Sequence, residues 1–89
     1  MVVKFEVGQL GITPGAQEWI PMKEVEIALN RHALGDWGSI CDEDRAQNEW
    51  ALRNEARLMS VYESDSGEAF WIITEADRSS TTILLPCEY

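Results

Sequence analysis

The feature that most constrains the fold is a pair of strand-like stretches near the C-terminus, separated by a very short charged connection. Residues 69–74 and 81–85 are rich in β-branched and aromatic side chains, and only six residues separate them. Because a parallel crossover needs a dozen or more residues, these strands are predicted to pair as an antiparallel hairpin. Residues 57–63 alternate in the same way, and a turn sequence at residues 64–67 joins them to the hairpin. The pattern therefore predicts a three-stranded antiparallel meander.

Two helices are predicted between residues 13 and 35. Thr13 followed by Pro14 is a favourable helix start, with Thr13 as the N-cap, and Pro21 interrupts this first helix. Pro21 can open the second helix, which Gly35 ends where a left-handed residue is favoured. Apolar residues and one histidine recur at steps of three and four, and they predict its inner face: Met22, Val25, Leu29 and His32.

A third helix is predicted before the meander. Ser39 followed by Asp42 resembles a capping box, and the helix should run from there to about Ala56. The acidic residues 42–44 would then lie in the first turn, where the helix dipole favours negative charge. Ala46 and Trp50 are predicted to form an i, i+4 pair on its inner face.

The N-terminus adds a further predicted strand. Val3, Phe5 and Val7 alternate with charged residues, which is typical of a strand with one buried face, and Gly8 and Gly11 should end it. The chain of 89 residues is short enough for one domain. The expected fold is a small α+β domain over residues 1–89. An N-terminal strand and two to three helices would pack on a three- to four-stranded antiparallel meander.

The charge balance restricts the partners. Sixteen acidic and seven basic side chains give a formal net charge of −9. Phosphate backbones and anionic membranes repel such a surface, so we expect neither direct nucleic-acid binding nor membrane binding. No apolar run approaches the length of a membrane span, and the N-terminal residues do not resemble a signal peptide. We therefore expect a cytoplasmic protein.

The metal-ligating residue types lack the spacing of a metal site. Cys41, Cys87 and His32 are not paired at CxxC or HxxxH spacing. Two cysteines without such a pattern are expected to be reduced thiols in a cytoplasmic protein. The sequence predicts no metal site and no cofactor.

The connection inside the predicted hairpin is the best candidate site. Glu75, Asp77 and Arg78 would be held at the edge of a rigid sheet, where they could bind a small polar ligand or anchor a partner. Asp36 and Trp37 follow the second helix, and Trp is a favoured interface anchor. The alternative is structural, since Asp and Ser favour turns and Arg78 can pair with a neighbouring carboxylate.

His32 supports a second interpretation. The single histidine could be a general base if Asp36 or Glu75 oriented it, with Arg78 as an anion clamp. This interpretation predicts a small enzyme or a small-ligand-binding protein. The competing interpretation is a core histidine that is hydrogen-bonded in the interior, because His32 shares a helix face with apolar residues.

Several segments together resemble a known family. They are residues 32–38 (HALGDWG), 43–48 (EDRAQN), 73–79 (ITEADRS), 81–86 (TTILLP) and the final Glu88-Tyr89. From about Gly11 to the C-terminus, the chain resembles a family of small bacterial proteins of no established activity, carried on plasmids, integrative elements and other mobile gene cassettes. It departs from the family at Cys87, where an acidic or polar residue is more usual, and at residues 19–26.

The resemblance implies an accessory protein of mobile genetic elements that binds another protein, such as a component of host defence. Together with the residues, it favours a non-enzymatic protein-interaction module that also forms a homodimer through an apolar sheet face. Its partner surface would include five residues: Asp36, Trp37, Glu75, Asp77 and Arg78. Besides the small enzyme using His32, the charge of −9 leaves a third hypothesis, an acidic mimic of DNA.

Overall fold

The computed structural model describes residues 3–89 and has an α+β architecture. Its elements follow the predicted order closely, and a short 3-10 turn at Pro86–Glu88 ends the chain. The strands and helices are β1 (Gln9–Ile12), α1 (Pro14–Trp19), α2 (Met22–Ala33), α3 (Asp42–Asn54), β2 (Leu58–Glu63), β3 (Ala69–Thr74) and β4 (Ser80–Leu84).

The sheet is mixed, and the prediction of a purely antiparallel sheet was wrong. The strand order is β1-β4-β3-β2, with β2–β3 and β3–β4 antiparallel as predicted. The first strand instead pairs parallel to β4, with Gln9 opposite Ser80 and Ile12 opposite Ile83. The parallel pairing is possible because all three helices and two strands lie between β1 and β4, which is far more chain than a crossover needs.

The predicted strand over residues 3–7 is also wrong, because strand β1 begins only at Gln9. Gly8 adopts a positive φ of 66°, and a Cβ at this position would lie 2.4 Å from the carbonyl oxygen of Arg78. Only glycine fits this close approach, so the chain redirects here and then runs beside β4. The alternation that suggested a strand instead places Phe5 against the rings of His32 and Trp37.

One face of the sheet carries the main core. Phe70, Ile72 and Ile83 point toward α1 and α2, where they pack with Ile20 and Val25. A second cluster of Trp37, Ala51 and Leu58 joins α3 to the same face. Burial of these apolar side chains is the main stabilising contribution in a domain of this size.

Helix α3 turns a face other than the predicted one toward the sheet. Asn48 and Ala51 are buried, whereas Ala46 and Trp50 are exposed, so the predicted Ala46–Trp50 inner pair was wrong. The helix begins after Cys41 without a side-chain cap, so the predicted capping box at Ser39 does not form. The acidic first turn, Asp42 to Asp44, is confirmed.

The outer edge of β2 explains why Asn48 is the inward residue. The Asn48 side-chain amide donates to the carbonyl of Met59 at 2.7 Å, and its oxygen accepts from the Met59 N–H at 3.2 Å. Further along β2, the Val61 N–H donates to the Trp37 carbonyl and the Val61 carbonyl accepts from Ser39. The side chain therefore replaces a neighbouring strand, and this edge is closed to other chains.

The C-terminus packs against both sides of the domain. On the second sheet face, Tyr89 contacts Trp71 edge-on, and Arg57 lies over the Tyr89 ring. The Glu88 carboxylate accepts from the Gly15 N–H and the Thr13 hydroxyl at the start of α1. The Glu88 carboxylate therefore ties the C-terminus to the first turn of α1.

Replacing Asn48 with alanine tests the closed β2 edge. We expect Asn48→Ala to lower the free energy of unfolding by about 2 kcal/mol, because the part-buried N–H and carbonyl of Met59 lose their partners. Urea denaturation followed by far-ultraviolet circular dichroism measures the loss. Gln47→Ala, at the neighbouring exposed position, should change stability by less than about 0.5 kcal/mol. Equal effects of the two substitutions would contradict the pairing.

Candidate functional site

Arg78, one of the predicted partner-binding residues, is engaged inside the domain. Its guanidinium donates to four carbonyl oxygens, which belong to Ala51, Ala56, Glu75 and Ala76, at 2.6–3.2 Å. Two of these carbonyls, those of Ala51 and Ala56, lie at and just beyond the C-terminal end of α3, where a positive charge is favoured. Arg78 therefore connects the β3–β4 turn to the end of α3.

The other predicted partner-binding residues lie in different surroundings. Trp37 is buried, and its indole N–H donates to Glu49 at 2.9 Å. Asp36 is exposed and forms a two-point ion pair with Arg31 at 2.8 and 3.2 Å. This guanidinium lowers the pKa of the Asp36 carboxyl, chiefly by its hydrogen bond.

Glu75 and Asp77 are the predicted hairpin carboxylates. Glu75 lies 3.6 Å from Arg57 in an exposed ion pair, which contributes little to stability. The exposed Asp77 accepts from the Ser79 N–H within the turn, and this hydrogen bonding lowers its carboxyl pKa. Both carboxylates therefore already have partners within the domain.

His32 lies at the centre of a buried chain of hydrogen bonds. Its Nδ1 is 2.5 Å from the Ser60 hydroxyl and its Nε2 is 2.9 Å from the Thr74 hydroxyl. Thr74 is 2.6 Å from Thr81, whose hydroxyl donates to the Val7 carbonyl at 2.7 Å. The four side chains in this series of hydrogen bonds are fully buried: His32, Ser60, Thr74 and Thr81.

The last bond of this chain determines every proton position. Because Thr81 uses its only hydrogen on the Val7 carbonyl, Thr74 must donate to Thr81. Thr74 then has no hydrogen left for His32, so the histidine must carry its proton on Nε2 and donate to Thr74. Nδ1 is left as an acceptor for the Ser60 hydroxyl. The chain thus accommodates one neutral tautomer of His32 with every group satisfied.

A second proton on His32 is unfavourable in the fold. Burial lowers the pKa of His32 to about 4, and the positive charge of Arg78 contributes in the same direction. Phe5 and Trp37 cover the ring edge-on at 5.2 and 5.6 Å between centroids. Asp36, the expected orienting carboxylate, instead pairs with Arg31. The arrangement therefore gives His32 no access to a substrate and favours the interpretation of a core histidine.

The opposite edge of the sheet is open, and sequence reasoning missed it. The N–H groups of Gln9 and Thr13 donate to carbonyls on the β4 side, so by alternation the N–H and C=O groups of Leu10 and Ile12 point outward. Within residues 3–89, no hydrogen bond reaches either of these outward pairs. The signal was present in the Leu10–Ile12 alternation, but the two glycines suggested a strand end.

An apolar groove runs along this open edge. It has a volume of about 280 Å³ and lies between β1 and α2. Leu10 is 51 % exposed and Met22 is 52 % exposed on its rim, and Leu29 lies deeper. Glu26 is the charged residue of the lining. An open strand edge beside an apolar groove is the arrangement by which sheets add an extended segment of another chain.

Other site types find no support among residues 3–89. No group of three His, Cys, Asp or Glu residues converges as a metal site within this part of the chain. In the same range, no helix is long and apolar enough to cross a membrane. Both cysteines are free and exposed.

Comparisons of the chain with protein-family models, with curated proteins and with solved structures find no match.

Substituting lysine for Arg78 tests whether this residue holds α3 in place. We expect Arg78→Lys to lower the free energy of unfolding by about 1–3 kcal/mol, because an ammonium group cannot reach four carbonyls arranged for a planar guanidinium. Arg57→Lys, on an exposed ion pair, should change stability by less than about 0.5 kcal/mol. Urea denaturation compares the two variants. An unaltered stability of Arg78→Lys would contradict the structural role.

The titration of His32 follows from its buried position. Because the pKa of His32 is lower in the folded than in the unfolded protein, the free energy of unfolding is highest above about pH 6.5. It decreases as the pH falls toward 4, since the unfolded protein then takes up a proton that the folded protein does not. We expect about 2 kcal/mol of stability to be lost between about pH 7 and about pH 4.5. Nuclear magnetic resonance of the imidazole measures the pKa directly, since the chain has one histidine. A titration midpoint of the imidazole near pH 6.5 in the folded protein would contradict the buried, hydrogen-bonded position of His32.

Proposed function

We propose that the protein is a non-enzymatic interaction module that binds an extended protein segment at the open edge of β1. The observation that carries the proposal is the outward pair of backbone groups at Leu10 and Ile12, which lie beside the apolar groove. Backbone hydrogen bonds would supply affinity, and the groove would select apolar side chains at alternate positions of the bound segment.

The contrast between the two edges of the sheet supports this function. The β2 edge is closed by Asn48 and by the backbone of residues 37–39. Edge strands that are not used are usually protected by charge, proline or a covering element. Strand β1 has the sequence Gln9-Leu10-Gly11-Ile12, which contains neither a charged residue nor a proline. An unprotected edge of this kind favours a binding role.

The position of His32 supports a binding function over catalysis. The histidine and Ser60 resemble a base and a nucleophile in their spacing, but both are fully buried and every proton of the pair has a structural partner. General-base catalysis requires that the base reach a proton of the substrate. The mobile-element family that the sequence resembles also fits a small accessory protein, and the proposed partner is then a protein that such an element encounters in its host.

A charge placed on the open edge tests the proposal. We expect Leu10→Lys to abolish capture of a partner protein from a bacterial lysate, since a lysine on an edge strand opposes strand addition. Ile27→Lys is the matched control, because Ile27 is 53 % exposed and receives the same change of charge outside the groove. Affinity capture with mass spectrometry compares both variants with the wild type.

Amide hydrogen exchange locates the bound segment. In the free protein the Leu10 and Ile12 amides should exchange fast, while those of Gln9 and Gly11 are protected by β4. The captured partner should protect the first pair and leave the second unchanged. A partner that binds Leu10→Lys as well as it binds the wild type would contradict the proposal. If Glu75→Gln instead lost that partner, the binding surface would be the predicted β3–β4 hairpin and not the β1 edge.

A further inference from the structure

We propose that the segment added to the open edge is a basic one, with apolar residues opposite Leu10 and Ile12 and with Lys or Arg residues that reach Glu26 and Glu6. The inference rests on the proposed function because it uses the same edge. It goes further by naming the chemistry of the bound segment.

The pairing of β1 determines which side chains of a bound segment enter the groove. The β4 partners of Leu10 and Ile12 are buried, so these two residues share the sheet face that carries the helices. Residues of an added strand that lie directly opposite Leu10 and Ile12 point to the same face. They are alternate residues of the segment, and they meet the apolar groove between β1 and α2. Apolar side chains are therefore favoured at these positions.

A second apolar groove extends the first toward the N-terminal segment. It has a volume of about 470 Å³ and lies between α2 and residues 3–8. Leu29 lines both grooves, so they meet at this residue. A bound segment longer than the four residues of β1 can therefore continue from the first groove into the second.

Each groove has one carboxylate and no basic residue in its described lining. Glu26 lines the first groove and Glu6 lines the second, and both residues are exposed. Neither carboxylate belongs to an ion pair within residues 3–89. Lys4 and Lys23 are the basic residues nearest to them in sequence, and neither lines a groove. The two negative charges therefore lack a positive partner in this part of the chain.

Charge complementarity favours a cationic segment at this edge. Lysine and arginine side chains can lie along an apolar surface while their charged ends reach the carboxylates at its rim. The net charge of −9 also attracts a basic segment from a distance. An acidic segment, or a second copy of this chain, meets repulsion from the same charges. The preferred occupant thus alternates apolar residues on one face and flanks them with basic residues on that face.

Three synthetic peptides with blocked ends test the charge of the occupant. Lys-Thr-Val-Thr-Val-Thr-Lys has its lysines on the face of its valines, whereas Thr-Lys-Val-Thr-Val-Lys-Thr has the same composition with the lysines on the other face. Glu-Thr-Val-Thr-Val-Thr-Glu is the acidic counterpart of the first peptide. Amide chemical shifts in nuclear magnetic resonance titrations of the full chain report the affinity and the place of binding.

We expect the first peptide to shift the amides of Leu10 and Ile12. It should bind about threefold more tightly than the second peptide and at least about tenfold more tightly than the acidic one at about 50 mM salt. These differences should fall below about twofold at about 500 mM salt, because the ions screen exposed charges.

Two substitutions separate the groove carboxylate from the net charge. Glu26→Gln and Glu68→Gln each remove one negative charge, and Glu68 is exposed in the connection between β2 and β3, outside both grooves. We expect Glu26→Gln to weaken binding of the first peptide about threefold and Glu68→Gln to weaken it less than about 1.5-fold. Equal effects of the two substitutions, or equal affinities of the three peptides, would overturn the inference.

The same titrations distinguish failure of the inference from failure of the proposed function. If all three peptides shifted the Leu10 and Ile12 amides equally, strand addition would stand and the selection by charge would be wrong. If no peptide shifted these amides, the inference would be overturned, and a captured partner that Leu10→Lys loses would still support the proposed function. If the first peptide bound Leu10→Lys as well as the wild type, both would be wrong.

Discussion

The buried hydrogen-bond chain from Ser60 to Val7 is the interaction on which the rest of the structure depends. It joins one helix, three strands and the N-terminal segment: His32 is on α2, Ser60 on β2, Thr74 on β3 and Thr81 on β4, and Val7 precedes β1. Buried polar groups are costly unless every one is paired, so the chain is stabilising only in this one arrangement. It therefore specifies the register of β2, β3 and β4 as well as the position of α2 above them.

The two edges of the sheet differ in chemistry, and this difference supports the proposed function. At β2, a buried asparagine takes the place of a neighbouring strand. At β1, the backbone groups of Leu10 and Ile12 face outward beside an apolar groove, and no charge protects them. Edge strands are a hazard for aggregation, and a domain that closes one edge while leaving the other open directs association to a single place. This asymmetry underlies the proposed function.

Many of the charged groups have structural partners. Arg78 binds carbonyls at the end of α3, the Glu88 carboxylate caps α1, and residues 42–44 lie at the start of α3. Hydrogen bonds lower the pKa of Glu88 and Asp77, which keeps both carboxylates ionised in these positions. A net charge of −9 is therefore in part a consequence of helix starts and turns, and a surface that imitates DNA is not needed to account for these acids.

Local sequence determined the secondary structure wherever the physical signal was local. Thr13-Pro14 placed the start of α1, Gly35 adopts the left-handed conformation expected after α2, and the period-two pattern located β3 at Ala69–Thr74. Only the tertiary structure decided that β1 is parallel to β4, that Asn48 faces inward, and that the carbonyls around Arg78 converge on its guanidinium. Those outcomes depend on which backbone groups lack partners after the chain has folded, and residues far apart in sequence supply them. The open edge of β1 belongs to the same class, because an edge exists only once the sheet has formed.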